Sequence, residues 1–394
     1  MDQKTFDKYV LNTYTRQPIT IVKGQGMAVW DDKGREYLDF FPGYGAGNMG
    51  HCHPKVVEAI QKQVTEIIHV PNVYYNNAQG ELAKLVIEST FDGQVFFCNS
   101  GAEANEGAIK LARKRNPNKK TIITLKDSFH GRTIAAVTAT GQPIYHDGFD
   151  PLPGGFEYCE ANNIEMLKDM MNEHVAALMF EPVLGEGGIV PITPEFMMAA
   201  RQLCNDYDTL LILDEVQTGI GRTGKLFAYQ HFNVEPDVLT MAKSLGGGIP
   251  IGAIAVKRDY CDVLKPGSHG STFGGNPIAC SAGVAVLNAI ADENLLENAV
   301  KMGDYLRGKL EILKTKYSII KEIRGIGLML GVELTVPGVD IVQHCLKKKV
   351  LLNCTHKTVL RLMPAINVTK YKIDRVIKVI DHALETVITW ITPT

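Results

Sequence analysis

Apolar residues along this chain follow two rhythms. Short runs dominated by apolar side chains occur at Val95 to Cys98, Thr121 to Leu125, Val175 to Phe180, Leu210 to Leu213 and Val238 to Ala242. Runs without polar alternation are what strands buried on both faces display, as in a parallel sheet. Between them lie segments with helical spacing: Val56 to Ile68, Gln79 to Ser89, Gly101 to Arg115 and Pro194 to Tyr207. Such alternation predicts an α/β fold, a large mostly parallel sheet with helices on both faces. Before Gly50 the pattern weakens to short strand signals, Ile19 to Val22 and Met27 to Trp30, set off by GQG and DDKG turns. A glycine-rich loop, FPGYGAGNMGHCHP, follows. After Gly275 the character changes again. Ala299, Met302, Leu306, Leu310 and Leu313 form a helical stripe, and Gly325 to Leu334 a strand or hairpin. Ile373, Val376, Ile377, Ile380, Leu384 and Val387 form a last amphipathic helix. The expected layout is a large domain over residues 51–275 and a smaller α+β lobe from both chain ends, 1–50 and 276–394.

Composition narrows the classes. A length of 394 residues exceeds what one core usually holds, which agrees with two lobes. Hydrophobic content of 45% and a net charge of -2 describe an ordinary soluble protein with no basic excess for nucleic acid. No apolar run approaches the length of a membrane span, and the N-terminus, MDQKTFDKYV, lacks a signal peptide's apolar core. The 8 cysteines are scattered without a CxxC pair, so free thiols in the cytoplasm are expected. His51-Cys52-His53 is the one metal-like cluster. Alternate positions in a turn rarely converge on one ion, so a hydrogen-bonded turn and no metal are expected.

Candidate chemistry gathers where the runs end, the edge at which open α/β sheets bind ligands. The run Leu210 to Leu213 stops on Asp214 and Glu215, and Val238 to Ala242 on Lys243 before three glycines. A lysine and a carboxylate so placed suit a pyridoxal-phosphate (PLP) site, with the lysine as Schiff base and the acid on the pyridine nitrogen. They equally suit charged residues where strands meet solvent, and the pair alone does not decide. Val95 to Cys98 leads into Asn99-Ser100-Gly101-Ala102 and a helix whose Ala104, Ala108, Leu111 and Ala112 can face the sheet. Open N–H groups on Gly101 and Ala102 suit a phosphate, or simply make a tight turn. Phe129 follows the next strand and can stack on a planar ring, and Arg132 offers a fork for a carboxylate. Glu181 and Glu186 flank a glycine-rich loop, and His269 to Gly275 is a second flexible loop bearing hydroxyls. Arg361, between Leu360 and Leu362, is a cation in an apolar strand and needs an anionic partner.

Taken in order, NSGAEANEGAIK, SFHGRT, EPVLGEGGIVP, LDEVQTGIGRTG, MAKSLGGGIPIGA, HGSTFGGNP and LRLMP resemble the class III (ω-amino acid) aminotransferases of PLP fold type I, the aspartate aminotransferase-like fold. Within that class, TATGQPIYHDGFDPLPGGFEY looks most like the acetylornithine aminotransferases of arginine biosynthesis. The resemblance implies ping-pong transfer of the terminal amino group of N2-acetyl-L-ornithine to 2-oxoglutarate by a homodimer with shared active sites. Lys243 would carry the cofactor and shuttle the proton, Asp214 would pair with the pyridinium, and Gln217 would bond the phenolic oxygen. Phe129 would stack on the ring, Gly101 and Ala102 would hold the phosphate, and Thr272 would reach the partner subunit's phosphate. Arg132 would take the α-carboxylate of acetylornithine or the side-chain carboxylate of glutamate. Arg361 would take glutamate's α-carboxylate, with Glu186 covering it otherwise, and Ser271 would touch substrate. Tyr14 is common to acetylornithine and ornithine enzymes. Tyr44 stands where the former usually carry an aliphatic residue and ornithine δ-aminotransferases a tyrosine. Ornithine or succinyldiaminopimelate transamination is therefore the alternative on this scaffold. A non-catalytic PLP-binding regulator is the alternative of another class; it is disfavoured because both substrate arginines are present and no DNA-binding module is fused.

Overall fold

The structure is a computed structural model that describes residues 2–391. After helix Gln3–Tyr9, which buries nothing, a meander of β1 (Ile21–Gln25), β2 (Ala28–Asp31) and β3 (Glu36–Asp39) forms. The first strand lies a few residues later than the apolar pattern of Ile19 to Val22 suggests, and it is mostly exposed. Helices Pro54–Glu66 and Asn77–Glu88 then lead into the large sheet.

That sheet takes β4 (Gly93–Cys98), β5 (Thr121–Leu125), β6 (Phe156–Cys159), β7 (Val175–Phe180), β10 (Leu210–Asp214), β11 (Val238–Met241) and β12 (Gly252–Lys257). A small hairpin of β8 (Val183–Leu184) and β9 (Val190–Pro191) stands apart after β7. The order across the sheet is β4-β12-β11-β10-β7-β5-β6. Every pairing is parallel except those of β12, which runs against both β4 and β11. All residues of β7, β10 and β11 are buried, which explains the unbroken apolar runs. Alternate residues serve two cores. Leu211 and Leu213 join Phe196 of helix Pro194–Asp206 on one face, while Leu210 and Ile212 meet Ala104, Ala108, Leu111 and Ala112 of helix Gly101–Arg115 on the other. Truncating one such leucine to alanine costs ~2–5 kcal/mol in a core this tight.

Beyond the sheet, helix Pro277–Asp292 packs on Pro54–Glu66 and Asn77–Glu88. Helix Leu295–Lys316 buries Ala299, Met302, Leu306, Leu310 and Leu313, the stripe read from spacing. The expected element at Gly325 to Leu334 resolves into a hairpin, β13 (Ile320–Ile326) with β14 (Met329–Leu334), turning at Gly327-Leu328. Helix Val339–Lys347 precedes β15 (Val350–Leu351), β16 (Asn353–Thr355) and β17 (Val359–Leu362), and helix Lys370–Ile391 closes the described chain on its predicted apolar stripe. The order β13-β14-β17-β16 makes an antiparallel sheet. β15 leaves it and pairs in parallel with β3, so that sheet joins both ends of the chain. In the His51-Cys52-His53 turn the two imidazoles diverge, His51 to Asp39 at 2.9 Å and His53 to Glu293 at 3.4 Å. No helix among the described residues is long and apolar enough to cross a membrane.

Candidate active site

The carboxyl edge of the large sheet opens into a cavity of about 410 Å³. Asp214 ends β10 there, buried. Its Oδ2 accepts hydrogen bonds from Asn105 Nδ2 at 2.7 Å and from His130 Nδ1 at 2.8 Å, and its Oδ1 accepts from the Val216 N–H at 3.0 Å. Asn105 cannot turn over, because its Oδ1 accepts from Thr240 Oγ1 at 2.7 Å and its Nδ2 also donates to the His130 carbonyl at 2.7 Å. The carboxylate is thus fixed by dipoles, with no arginine or lysine bonded to it among the described residues.

Lys243 follows β11 in a left-handed conformation, φ 46°, at the head of a short turn, Lys243–Gly246. A non-glycine residue held there stores on the order of 1–2 kcal/mol, which the packing around it must offset. Its ammonium enters the cavity and bonds to none of the described residues. Burial pushes it below the ordinary lysine value, while the charges of Glu186, Glu181 and Asp214 oppose that fall.

Helix Gly101–Arg115 begins at the same edge. Ser100 caps it, accepting from the Glu103 N–H at 3.2 Å, and Glu103 in turn accepts from the Asn99 N–H at 2.8 Å. The N–H groups of Gly101 and Ala102 remain open to the cavity. A Cβ on residue 101 would come within 2.8 Å of the Val216 methyl, so glycine is required. Phe129 lies on the loop after β5, its N–H bonded to Glu181 Oε1 at 3.0 Å and its ring edge-on to Tyr145 at 5.7 Å. The Arg132 guanidinium sits 3.9 Å from the Tyr145 ring centre and has no carboxylate partner among the described residues. Gln217 donates to the Tyr44 carbonyl at 3.3 Å, and its buried Oε1 has no partner among the described residues.

Arg361, on β17, is 1% exposed. Its guanidinium donates to Glu186 Oε1 at 2.6 Å, to the Gly185 carbonyl at 3.2 Å and to Asn353 Oδ1 at 2.7 Å. It stacks 4.5 Å from the Phe41 ring centre and 5.9 Å from that of Tyr44.

Gly101, Ala102, Phe129, Arg132, Glu186, Asp214, Gln217 and Lys243 therefore share one cavity, and Arg361 adjoins it through Glu186. Ser271 and Thr272 lie apart, in a neighbouring cleft with Phe96 and His269, although Ser271 Oγ accepts from Asn99 Nδ2 at 3.0 Å. Tyr14 is 69% exposed and Tyr44 54%, and neither lines the cavity. His130, Asn105 and Tyr145 were not singled out by sequence reasoning. The available signal for Asn105 was a polar residue beside the alanine stripe of its helix.

A family model described as Aminotransferase class-III matches residues 9–384. The chain belongs to the class III aminotransferases. An acetylornithine aminotransferase of Caldanaerobacter subterraneus subsp. tengcongensis is 52% identical, over 96% of this chain and 97% of that protein. One from Methanocaldococcus jannaschii is 50% identical, over 95% and 96%. Among solved structures, an ornithine aminotransferase of Toxoplasma gondii superimposes with a TM-score of 0.94 at 35% identity, covering 98% of this chain and 94% of that one, and carries PLP at partial occupancy in its active site. An acetylornithine aminotransferase of Elizabethkingia anophelis gives a TM-score of 0.87 at 32% identity, covering 97% of this chain and 98% of that one. This aminotransferase is accordingly PLP-dependent and has PLP fold type I.

Proposed function

We propose that this aminotransferase moves the terminal amino group of N2-acetyl-L-ornithine to 2-oxoglutarate, yielding N-acetyl-L-glutamate 5-semialdehyde and L-glutamate, as a step of arginine biosynthesis in the cytoplasm. The observation that carries the reading is the contrast between its two arginines. Arg132 presents a guanidinium with no carboxylate partner among the described residues, whereas Arg361 is buried and already neutralised by Glu186.

The residues present fit the cofactor. Gln217 Oε1 is a buried atom without a partner among the described residues, and the N–H groups of Gly101 and Ala102 line the cavity. The buried Asp214 carboxyl is bonded to Asn105, His130 and the Val216 N–H but to no arginine or lysine among the described residues. In this reading Gly101 and Ala102 hold the phosphate, Phe129 lies against the ring, Gln217 meets its phenolic oxygen and Asp214 its protonated nitrogen. Bound PLP supplies an electron sink for the carbon that loses a proton. Lys243 anchors the cofactor and then, through Nζ, takes that proton and returns it. Its lowered basicity favours the neutral amine this work needs.

Substrate selection follows from charge. Arg132 binds the carboxylate remote from the reacting amine of acetylornithine. That substrate brings no carboxylate to Arg361, and a buried arginine cannot shed its proton, so Glu186 stays on it. Glutamate and 2-oxoglutarate bring a second carboxylate, which displaces Glu186. The ping-pong cycle alternates between these two states.

Ser271 and Thr272 serve the partner subunit's site in this reading, and the working unit is a homodimer. Exposed apolar residues in Val73-Tyr74-Tyr75, together with Phe273, support such a contact surface. The lobes divide near residues 50 and 275. Ornithine δ-transamination is the second reading, favoured by Tyr44 beside Arg361. Initial rates with acetylornithine, ornithine and succinyldiaminopimelate against 2-oxoglutarate test the assignment. A preference for either of the last two substrates overturns it.

A further inference from the structure

Beyond its contacts with Arg361, the loop that carries Glu186 is held at three points. The Gly185 N–H donates to Glu181 Oε2 at 3.0 Å, Arg324 Nε donates to the Gly188 carbonyl at 2.9 Å, and Thr355 Oγ1 donates to the Glu186 carbonyl at 2.7 Å. Of these three, only the last grips Glu186 itself, whose side chain Arg361 also holds. Thr355 belongs to β16, an edge strand paired with β17 alone. Residues two apart on a strand share a face. On that face Asn353 fixes the Arg361 guanidinium through Nε at 2.7 Å, while Thr355 fixes the backbone of its counter-ion. One short strand edge thus fixes both halves of the ion pair.

Arg361 has further anchors, the Gly185 carbonyl and the Phe41 ring, so Glu186 is the member free to move. Its neighbours Gly185, Gly187 and Gly188, the last at φ 95°, let the backbone pivot once unpinned. The geometry points to Thr355 as a specificity-determining latch: its bond to the Glu186 carbonyl sets how much of the enzyme keeps Glu186 on Arg361, and so the balance between ω-amine and dicarboxylate substrates. This rests on Glu186 acting as the gate over Arg361. A dicarboxylate binds only the fraction of enzyme in which Glu186 has left, so weakening the closed state tightens dicarboxylates and weakens ω-amines.

The test is equilibrium binding of glutarate, a five-carbon dicarboxylate with no group to react, to the PLP-loaded enzyme by calorimetry. Rapid-mixing half-reactions with acetylornithine and with glutamate accompany it. Thr355→Val keeps the side-chain shape and deletes the donor. It should tighten glutarate and raise the acetylornithine concentration for half-maximal rate by two factors whose product is roughly 3- to 10-fold, the weight of one neutral hydrogen bond. Thr355→Ser, which keeps the hydroxyl, should restore glutarate affinity. In a Glu186→Ala background the Thr355→Val change should have no further effect on glutarate. If Glu186→Ala tightens glutarate and Thr355→Val does not, the latch is refuted and the gate stands. If Glu186→Ala leaves glutarate binding unchanged, the gate itself fails and the latch with it. Equal weakening of both substrate types by Thr355→Val would reduce Thr355 to a structural residue and overturn the proposal.

Discussion

Asp214→Asn separates the charge at the end of β10 from its shape. The carboxylate accepts from three donors: Asn105 Nδ2, His130 Nδ1 and the Val216 N–H. An asparagine has one acceptor oxygen. If that oxygen faces Asn105 and His130, the new NH₂ meets the Val216 N–H. If it faces Val216, the NH₂ meets Asn105, whose amide Thr240 and the His130 carbonyl hold in place. Either way a donor is left against a donor, at a cost of ~1–3 kcal/mol. A folded domain with the usual margin of ~5–15 kcal/mol survives that loss. The chemical effect should be larger. Without an anion beside the pyridine nitrogen the cofactor draws electrons poorly, and the single turnover with glutamate should slow by ~10²–10⁴, or roughly 3–5 kcal/mol of barrier. Denaturant melts would give the first quantity and stopped-flow absorbance of the PLP-loaded variant the second. A variant that loses stability as expected yet turns over glutamate within a few-fold of wild type would remove Asp214 from the chemistry.

Three further outcomes are expected. Lys243→Ala should abolish multiple turnover while PLP stays bound non-covalently, so borohydride should no longer fix the cofactor to the chain. Near wild-type turnover would displace Lys243 from its role. Glu186→Ala should slow the half-reaction with acetylornithine and spare or speed that with glutamate; equal losses in rapid mixing would show that Glu186 does not exchange with the substrate carboxylate. Burial pushes the Glu215 carboxyl up to about 7 from 4.5, and burial beside Asp214 raises Glu181 as well. Between those values the folded state keeps protons that the unfolded chain has released, so unfolding free energy falls as pH rises through that window. Glu181→Gln, having nothing to titrate, should lose less stability than wild type between about pH 5 and about pH 8 in denaturant melts.

The strands that carry the site were legible because they are buried on both faces. Leu210 to Leu213 and Val238 to Ala242 announce themselves by unbroken apolar content, and Asp214 and Lys243 by where that content stops. Direction is not written in such a run. Gly252–Lys257 is as apolar as its neighbours, and nothing in it marks the one strand that runs backwards between β4 and β11. The polar supports escaped for a different reason. Asn105, His130 and Tyr145 matter through partners distant in sequence, Asp214 and Arg132 among them, and periodicity says nothing about such contacts. Arg361 could be read alone because an arginine in VLRL demands an anion. Which oxygen and which hydroxyl answer it depends on how β16 lies beside the Glu186 loop, a contact between segments far apart in sequence.

The parallel pairing of β15 with β3 has a consequence for biosynthesis. Leu38 donates its N–H to the Lys349 carbonyl at 2.9 Å, and Phe40 to that of Leu351 at 3.0 Å. At ~5–20 residues per second, a ribosome needs on the order of tens of seconds to make β15 after β3 has emerged. Through that interval the nascent chain exposes a strand edge bearing Leu38 and Phe40, both buried in the finished protein. An open apolar edge is a template for pairing with a second chain. Yield during expression should therefore depend on holdase chaperones and on synthesis rate more than finished stability would suggest, and a chain stopped short of Val350 should accumulate as aggregate.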